Sequence, residues 1–159
     1  MTKADLLALA LDDFLSISSE VEAAAVVSAD GLPMASALPP NVEEDRLAAM
    51  SAALLTLGER AASELGKGEL AQVFIEGPKG HVILMAAGPD SVLVAVTAKG
   101  AKVGLVLFEM RRIAERVTAV MTAGVSDTLG TPAGLAVVGE HSEPPAPAEA
   151  SATSAASWH

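Results

Sequence analysis

The chain has 159 residues, of which 51% are hydrophobic and only 3% aromatic, and it has no cysteine. That length suits one domain with a tail, and the absence of thiols excludes disulfide scaffolds, thiolate metal sites and cysteine nucleophiles. Twenty acidic residues against ten basic ones give a formal charge of −10, which repels phosphate backbones and anionic lipid, and the few aromatic rings give no stacking platform, so no nucleic-acid partner is expected.

The N-terminal stretch MTKADLLALALDDF carries Asp5, Asp12 and Asp13 among its apolar residues and does not read as a secretory signal. Leu6, Leu7, Ala10, Phe14 and Ile17 recur at helical spacing opposite Asp5, Asp12 and Ser16, which predicts a first helix. Two strand-like runs, residues 24–28 and 32–38, flank Asp30-Gly31. That pair signals a two-residue hairpin in which both turn residues take positive φ. Pro33 cannot donate to a sheet ladder, so the second strand belongs at an edge, and Pro39-Pro40 ends it.

A second helix follows, with Asn41 as the expected cap, Glu43, Glu44 and Asp45 at its positive end, and Gly66 as its stop. Three further strands are expected over residues 70–76, 81–87 and 92–97, joined by Gly77-Pro78-Lys79-Gly80 and Gly88-Pro89-Asp90. The last two are apolar on both faces, which predicts inner strands with layers on either side. A third helix begins near Lys102, with Val103, Leu107, Met110, Ala114, Val117 and Met121 on one stripe. Arg111–Glu115 and Glu109–Arg112 are spaced to pair across its polar side. The order α-β-β-α-β-β-β-α, with hairpin-length links, predicts an α+β domain: a five-stranded antiparallel sheet flanked by helices.

Charge divides the chain. Residues 1–123 hold 16 acidic and 10 basic side chains, whereas residues 124–159 hold Asp127, Glu140, Glu143 and Glu149 and no Lys or Arg. From Glu140 the sequence EHSEPPAPAEASATSAASWH is too poor in aliphatics to offset the entropy of ordering it. A domain over 1–123 and a flexible acidic Pro/Ala/Ser-rich tail over 124–159 are expected. No uncharged apolar run approaches the roughly 20 residues of a membrane helix, so no membrane insertion and a cytoplasmic location are expected.

Chemistry-bearing motifs are missing. The glycines never form a phosphate loop ending in Gly-Lys-Ser/Thr, and there is no paired-histidine helix, calcium loop or Gly-x-Ser-x-Gly elbow. His81 opens a strand after a turn and reads as an ordinary hairpin residue without a nearby partner. The carboxylate pairs Asp12-Asp13 and Glu43-Glu44 are explained by solvation and helix-end complementarity. No catalytic residue, metal or cofactor is expected.

The informative element is helix two. Residues 47–57, LAAMSAALLTL, carry no charge. Leu47, Met50, Leu54, Leu57 and Ala61 make one stripe, and Ala48, Ala52, Leu55 and Ala62 make a second beside it. Apolar residues on two sides imply burial on two sides, against the sheet and against another chain, of which a twofold copy is the default. Replacing Ala52 with Glu is then expected to leave a folded monomer. Glu43, Glu44, Arg46, Glu59 and Arg60 flank the apolar segment as candidates for the polar rim of a partner surface.

The stretch from Val27 to Ser36, VSADGLPMAS, resembles the first hairpin of Roadblock / dynein-light-chain domains, and residues 101–112, AKVGLVLFEMRR, are similar to the entry of their final helix. With the element order, the resemblance covers residues 4–121. It implies a profilin-like sheet with the second helix on one face and the terminal helices on the other. It also implies dimerisation through the second helix and third strand, which places Ala48, Met50, Ala52, Leu55, Ala62, Val73 and Ile75 at the dimer interface. Bacterial members typically act on a Ras-like small GTPase, and the gliding-motility type activates GTP hydrolysis as a dimer without inserting an arginine finger. Other members are scaffolds. The resemblance therefore implies a homodimeric, non-catalytic GTPase regulator, with Glu43, Glu44, Arg46, Glu59 and Arg60 as GTPase-contact candidates, or else a dimeric scaffold with no effect on hydrolysis. Arg111, Arg112 and Arg116 read as a solvated helix face. The acidic tail departs from the gliding-motility type, which carries a functional C-terminal segment.

Overall fold

The computed structural model describes residues 1–129, with side chains described through 123. The expectations for the tail lie largely outside the described residues. The elements are α1 (Lys3–Ile17), β1 (Val21–Ser28), β2 (Pro33–Ala37), α2 (Glu44–Glu64), β3 (Gln72–Gly77), β4 (Gly80–Ala86), β5 (Ser91–Ala98) and α3 (Val103–Leu129). The strands form one antiparallel sheet in the order β2-β1-β5-β4-β3. The α+β architecture and element order are those the sequence predicts, and Pro33 does stand on an edge strand.

Two apolar layers clasp the sheet. Leu7, Leu11 and Phe14 of α1 and Val106, Met110, Ile113 and Val117 of α3 pack on one face, over Ala24, Val26, Ile83, Leu93 and Ala95. Ala48 and Leu55 of α2 pack on the other, over Ala25, Val27, Leu84, Val92 and Val94. Successive side chains of a strand alternate between faces, so β5 feeds both layers and is buried along most of its length. On α3, Met110, Ala114 and Val117 of the expected stripe are buried together with Val106 and Ile113, while Val103, Leu107 and Met121 are half-buried. The buried stripe of α1 is rotated: Leu11 is buried, whereas Leu6 and Ile17 are exposed. A capping box sets the start of α1, the Thr2 hydroxyl accepting from the Asp5 N–H and the Asp5 carboxylate from the Thr2 N–H, each at 3.0 Å.

Because β2 and β3 are opposite edges, α2 must carry the chain across the whole sheet. Its 21 residues extend about 31 Å, against about 19 Å for four interstrand spacings, so it crosses obliquely. Glu43 occupies the cap position without a side-chain hydrogen bond. Asn41 lies outside, in a turn closed by the Val42 N–H on the Pro39 carbonyl, which removes it from the helix end. The exit is a Schellman cap: the Gly66 N–H donates to the Ser63 carbonyl and the Lys67 N–H to that of Ala62, with Gly66 at φ +70°.

The first hairpin also differs in detail. Gly31 has φ +89°, but Asp30 does not have positive φ. The Gly31 N–H donates to the Ser28 carbonyl and the Ser28 N–H to that of Leu32, which makes a three-residue turn. Only the glycine then enters the left-handed region, where a side chain is penalised.

Candidate functional site: the outer flank of α2 and the β3 edge

Small residues let α2 lie close to the sheet and to the β1–β2 turn. A Cβ on Gly31 would stand 3.5 Å from the Ala49 Cα and 3.8 Å from the Ala52 Cβ, in ordinary contact. Ala48, Ser51, Ala52 and Leu55 are buried on this inner face. The structure therefore corrects the sequence reading of the second stripe. Of the residues expected at a dimer interface, Ala48 and Leu55 are packed against the protomer's own sheet, Ala52 is buried beside the β1–β2 turn, and Ala62 is half-buried. Their small size serves close packing inside one chain.

The first stripe is split: Met50 is 51% exposed, Leu57 61% and Ala61 is exposed, whereas Leu47 and Leu54 are half-buried against the α2-side core. This flank leans toward β3. At Gly58 a Cβ would come within 3.0 Å of Leu70 and 3.1 Å of Val73, so the helix passes nearest the β3 edge there. Leu54 and Ala61 are the i−4 and i+3 neighbours of Gly58 on the helix surface. Of the two strand residues expected at an interface, Ile75 is 38% exposed and Val73 is half-buried under α2.

The strand β3 pairs only with β4, so the N–H and C=O groups along its outer side lack a strand partner among the described residues. It contains no proline within Gln72–Gly77, unlike β2 at the opposite edge. An unblocked edge beside an apolar helix flank is a surface on which another strand can pair.

The polar candidates do not form one group. Glu43, Glu44 and Arg46 sit at the start of α2, and Glu59 and Arg60 lie about 24 Å along it, near the far end. Arg46 pairs with Glu43 at 3.3 Å and Arg60 with Glu64 at 3.4 Å, all well exposed, and the Ser36 hydroxyl donates to Glu44. Glu59 lines a depression with Ser63, Glu69 and Pro89. On α3 the Glu109–Arg112 pair forms at 3.8 Å. Arg111–Glu115 does not appear among the ion pairs of the described residues, and Arg116 instead reaches Asp13 of α1 at 2.6 Å.

His81 has the partners that the sequence reading did not find. Its Nδ1 is 3.1 Å from the Thr97 hydroxyl, its Nε2 is 3.8 Å from Glu76, and its ring stacks on Phe74 with centroids 5.1 Å apart. The Gly77–Gly80 turn sets this register, placing Glu76 opposite His81 and His81 opposite Thr97. Among the described residues no three His, Asp or Glu side chains gather as a metal site, and no helix is long and apolar enough to cross a membrane.

The Roadblock/LC7 domain model matches residues 7–97, more than half of the chain. This protein belongs to the Roadblock/LC7 family. A relative from Methanocaldococcus jannaschii, the uncharacterised protein MJ1340, is 36% identical over 105 residues, which is 66% of this chain and 91% of that one. Myxococcus xanthus MglB has the same fold, with a TM-score of 0.71 at 20% identity over 76% of this chain and 90% of its own. An MglB structure with a tetrameric arrangement gives a TM-score of 0.70 at 20% identity, again over 76% and 90%.

Proposed function

We propose that this chain is a homodimeric, non-catalytic regulator that binds a Ras-like small GTPase. The observation that carries the reading is the outer flank of α2, where Met50, Leu57 and their neighbours lie exposed beside the open β3 edge. Exposed apolar stripes next to an unpaired strand are costly in a monomer. Two copies related by a twofold axis cover both at once, β3 against β3 and α2 against α2. The tetrameric arrangement of an MglB supports self-association in a protein of this fold.

The interface then runs through Leu47, Met50, Leu54, Leu57 and Ala61 of α2 with Val73 and Ile75 of β3. Glu43, Glu44 and Arg46 at one end and Glu59 and Arg60 at the other form polar margins, where they can meet a GTPase. Regulation rests on the family resemblance and on this surface.

The test is capture and turnover. The protein is used as bait in lysate from its own source, loaded with a non-hydrolysable GTP analogue or with GDP, and the captured small GTPase is purified. Capture in the GTP state with faster hydrolysis is the expected result. Capture without an effect on hydrolysis would make the chain a scaffold, and capture of no GTPase in either state would overturn the reading.

A further inference from the structure

On the face of the sheet opposite α2, a groove runs between α1 and α3. The Asp13–Arg116 pair ties the two helices near one end. From there the groove passes Ile17 and Glu109 and ends at Ser18, Lys102 and Leu105, with its two stretches enclosing about 300 and about 370 Å3. That space accepts side chains of an extended segment.

Two acceptors in this groove are poorly satisfied. The Glu109 side chain is only 11% exposed, and the Arg112 guanidinium, 3.8 Å away and itself largely in solvent, is too distant for a hydrogen bond. A carboxylate held this deep is costly without a close cationic partner. The Ser18 hydroxyl is buried with no hydrogen-bond partner among the described residues. Above them, Ile17 and Leu105 expose more than half their surface. Two unmet acceptors beneath an apolar rim describe the complement of one basic side chain flanked by apolar ones.

We propose that the α1–α3 groove docks a segment of a partner protein, which inserts one Arg or Lys side chain onto Glu109 and Ser18 and lays apolar residues on Ile17 and Leu105. A guanidinium suits the site best, because its fork meets both carboxylate oxygens and leaves a donor for the hydroxyl. Lys102 stands at the far end, where its backbone N–H donates to the Glu20 carboxylate at 2.8 Å, which places a second acidic group at that end of the groove. The net charge of −10 draws basic segments toward the surface. The groove lies away from the α2 flank and does not depend on the dimer reading.

The test selects a random dodecapeptide phage library on the immobilised full chain. Enriched peptides are synthesised with a fluorophore and titrated against the wild type, Glu109→Gln and Ser18→Ala by anisotropy. Their site is mapped from methyl chemical shifts. The expected peptides carry one Arg or Lys between apolar residues and shift Ile17 and Leu105 but not Leu57. Affinity falls at least about tenfold in Glu109→Gln, or when the basic residue becomes citrulline or norleucine, and less in Ser18→Ala. If Glu109→Gln does not fold, Ser18→Ala and the altered peptides carry the same reading. No enriched peptide, peptides without a basic residue, or unchanged affinity for the variants would overturn the proposal. So would groove shifts on dilution of the protein alone, which would make a second copy the occupant.

Discussion

Gly80 shows how one residue fixes the β3–β4 hairpin. Its φ is +146°, and an added Cβ would overlap the Thr97 carbonyl oxygen, a backbone atom that cannot swing away. Gly80→Ala is expected to cost about 3 kcal/mol or more in urea denaturation. The Thr97–His81–Glu76 contacts should loosen with it, visible as lost amide protection along β3. Asp5 gives a pH signature at the same scale. The Thr2 backbone N–H and then the Thr2 hydroxyl hold its carboxyl below the ordinary value of 3.8. A depressed folded pKa contributes stability that is present above the unfolded value and lost as pH falls through the folded one. The stability gap between wild type and Asp5→Asn should therefore be widest at neutral pH and shrink below pH 3.8. An equal gap at both ends would mean the capping box contributes nothing through its charge.

At the scale of the element, α2 separates what sequence can and cannot tell. Its existence, its length and its two apolar stripes follow from spacing alone, and so does its stop at Gly66. Which stripe meets the sheet does not, because both are apolar and periodicity ranks neither. The decision is made by distant residues: Gly31 brings the β1–β2 turn onto Ala49 and Ala52, and Leu70 and Val73 come up under Gly58. Ala48, Ala52 and Leu55 thus lie inward and Met50 and Leu57 outward, so that of the α2 residues expected at the interface only Met50 is well exposed. His81 shows the same limit, since Thr97 becomes its neighbour only through the β4–β5 register. The hairpin signal at Asp30-Gly31 was legible, but the choice between two and three turn residues depends on the conformation of Asp30.

Mutation distinguishes the two stripes. Leu55 is buried, so Leu55→Ala should cost about 2–4 kcal/mol. Leu57→Ala should change the stability of the protomer by no more than about 0.5 kcal/mol. Both are read from urea melts at protein concentrations low enough to suppress association. Ala52→Glu, expected from sequence to give a folded monomer, should instead fail to fold, because it drives a carboxylate into the buried contact between α2 and the β1–β2 turn. A cooperative native-like melt of that variant would show that the inner face is misplaced.

At the scale of the whole molecule, the fold leaves one edge blunted and one open. β2 carries Pro33 and pairs with β1 alone, whereas β3 is proline-free and lies beside the exposed flank of α2. The central claim is that this side joins two copies, and sedimentation equilibrium of the full chain over the micromolar range tests it most directly. The account predicts about twice the protomer mass of 16.0 kDa for the wild type. For Leu57→Glu it predicts the protomer mass with an unchanged far-ultraviolet circular dichroism spectrum. A wild type at the protomer mass throughout the range, or a Leu57→Glu variant that keeps the doubled mass, would contradict it.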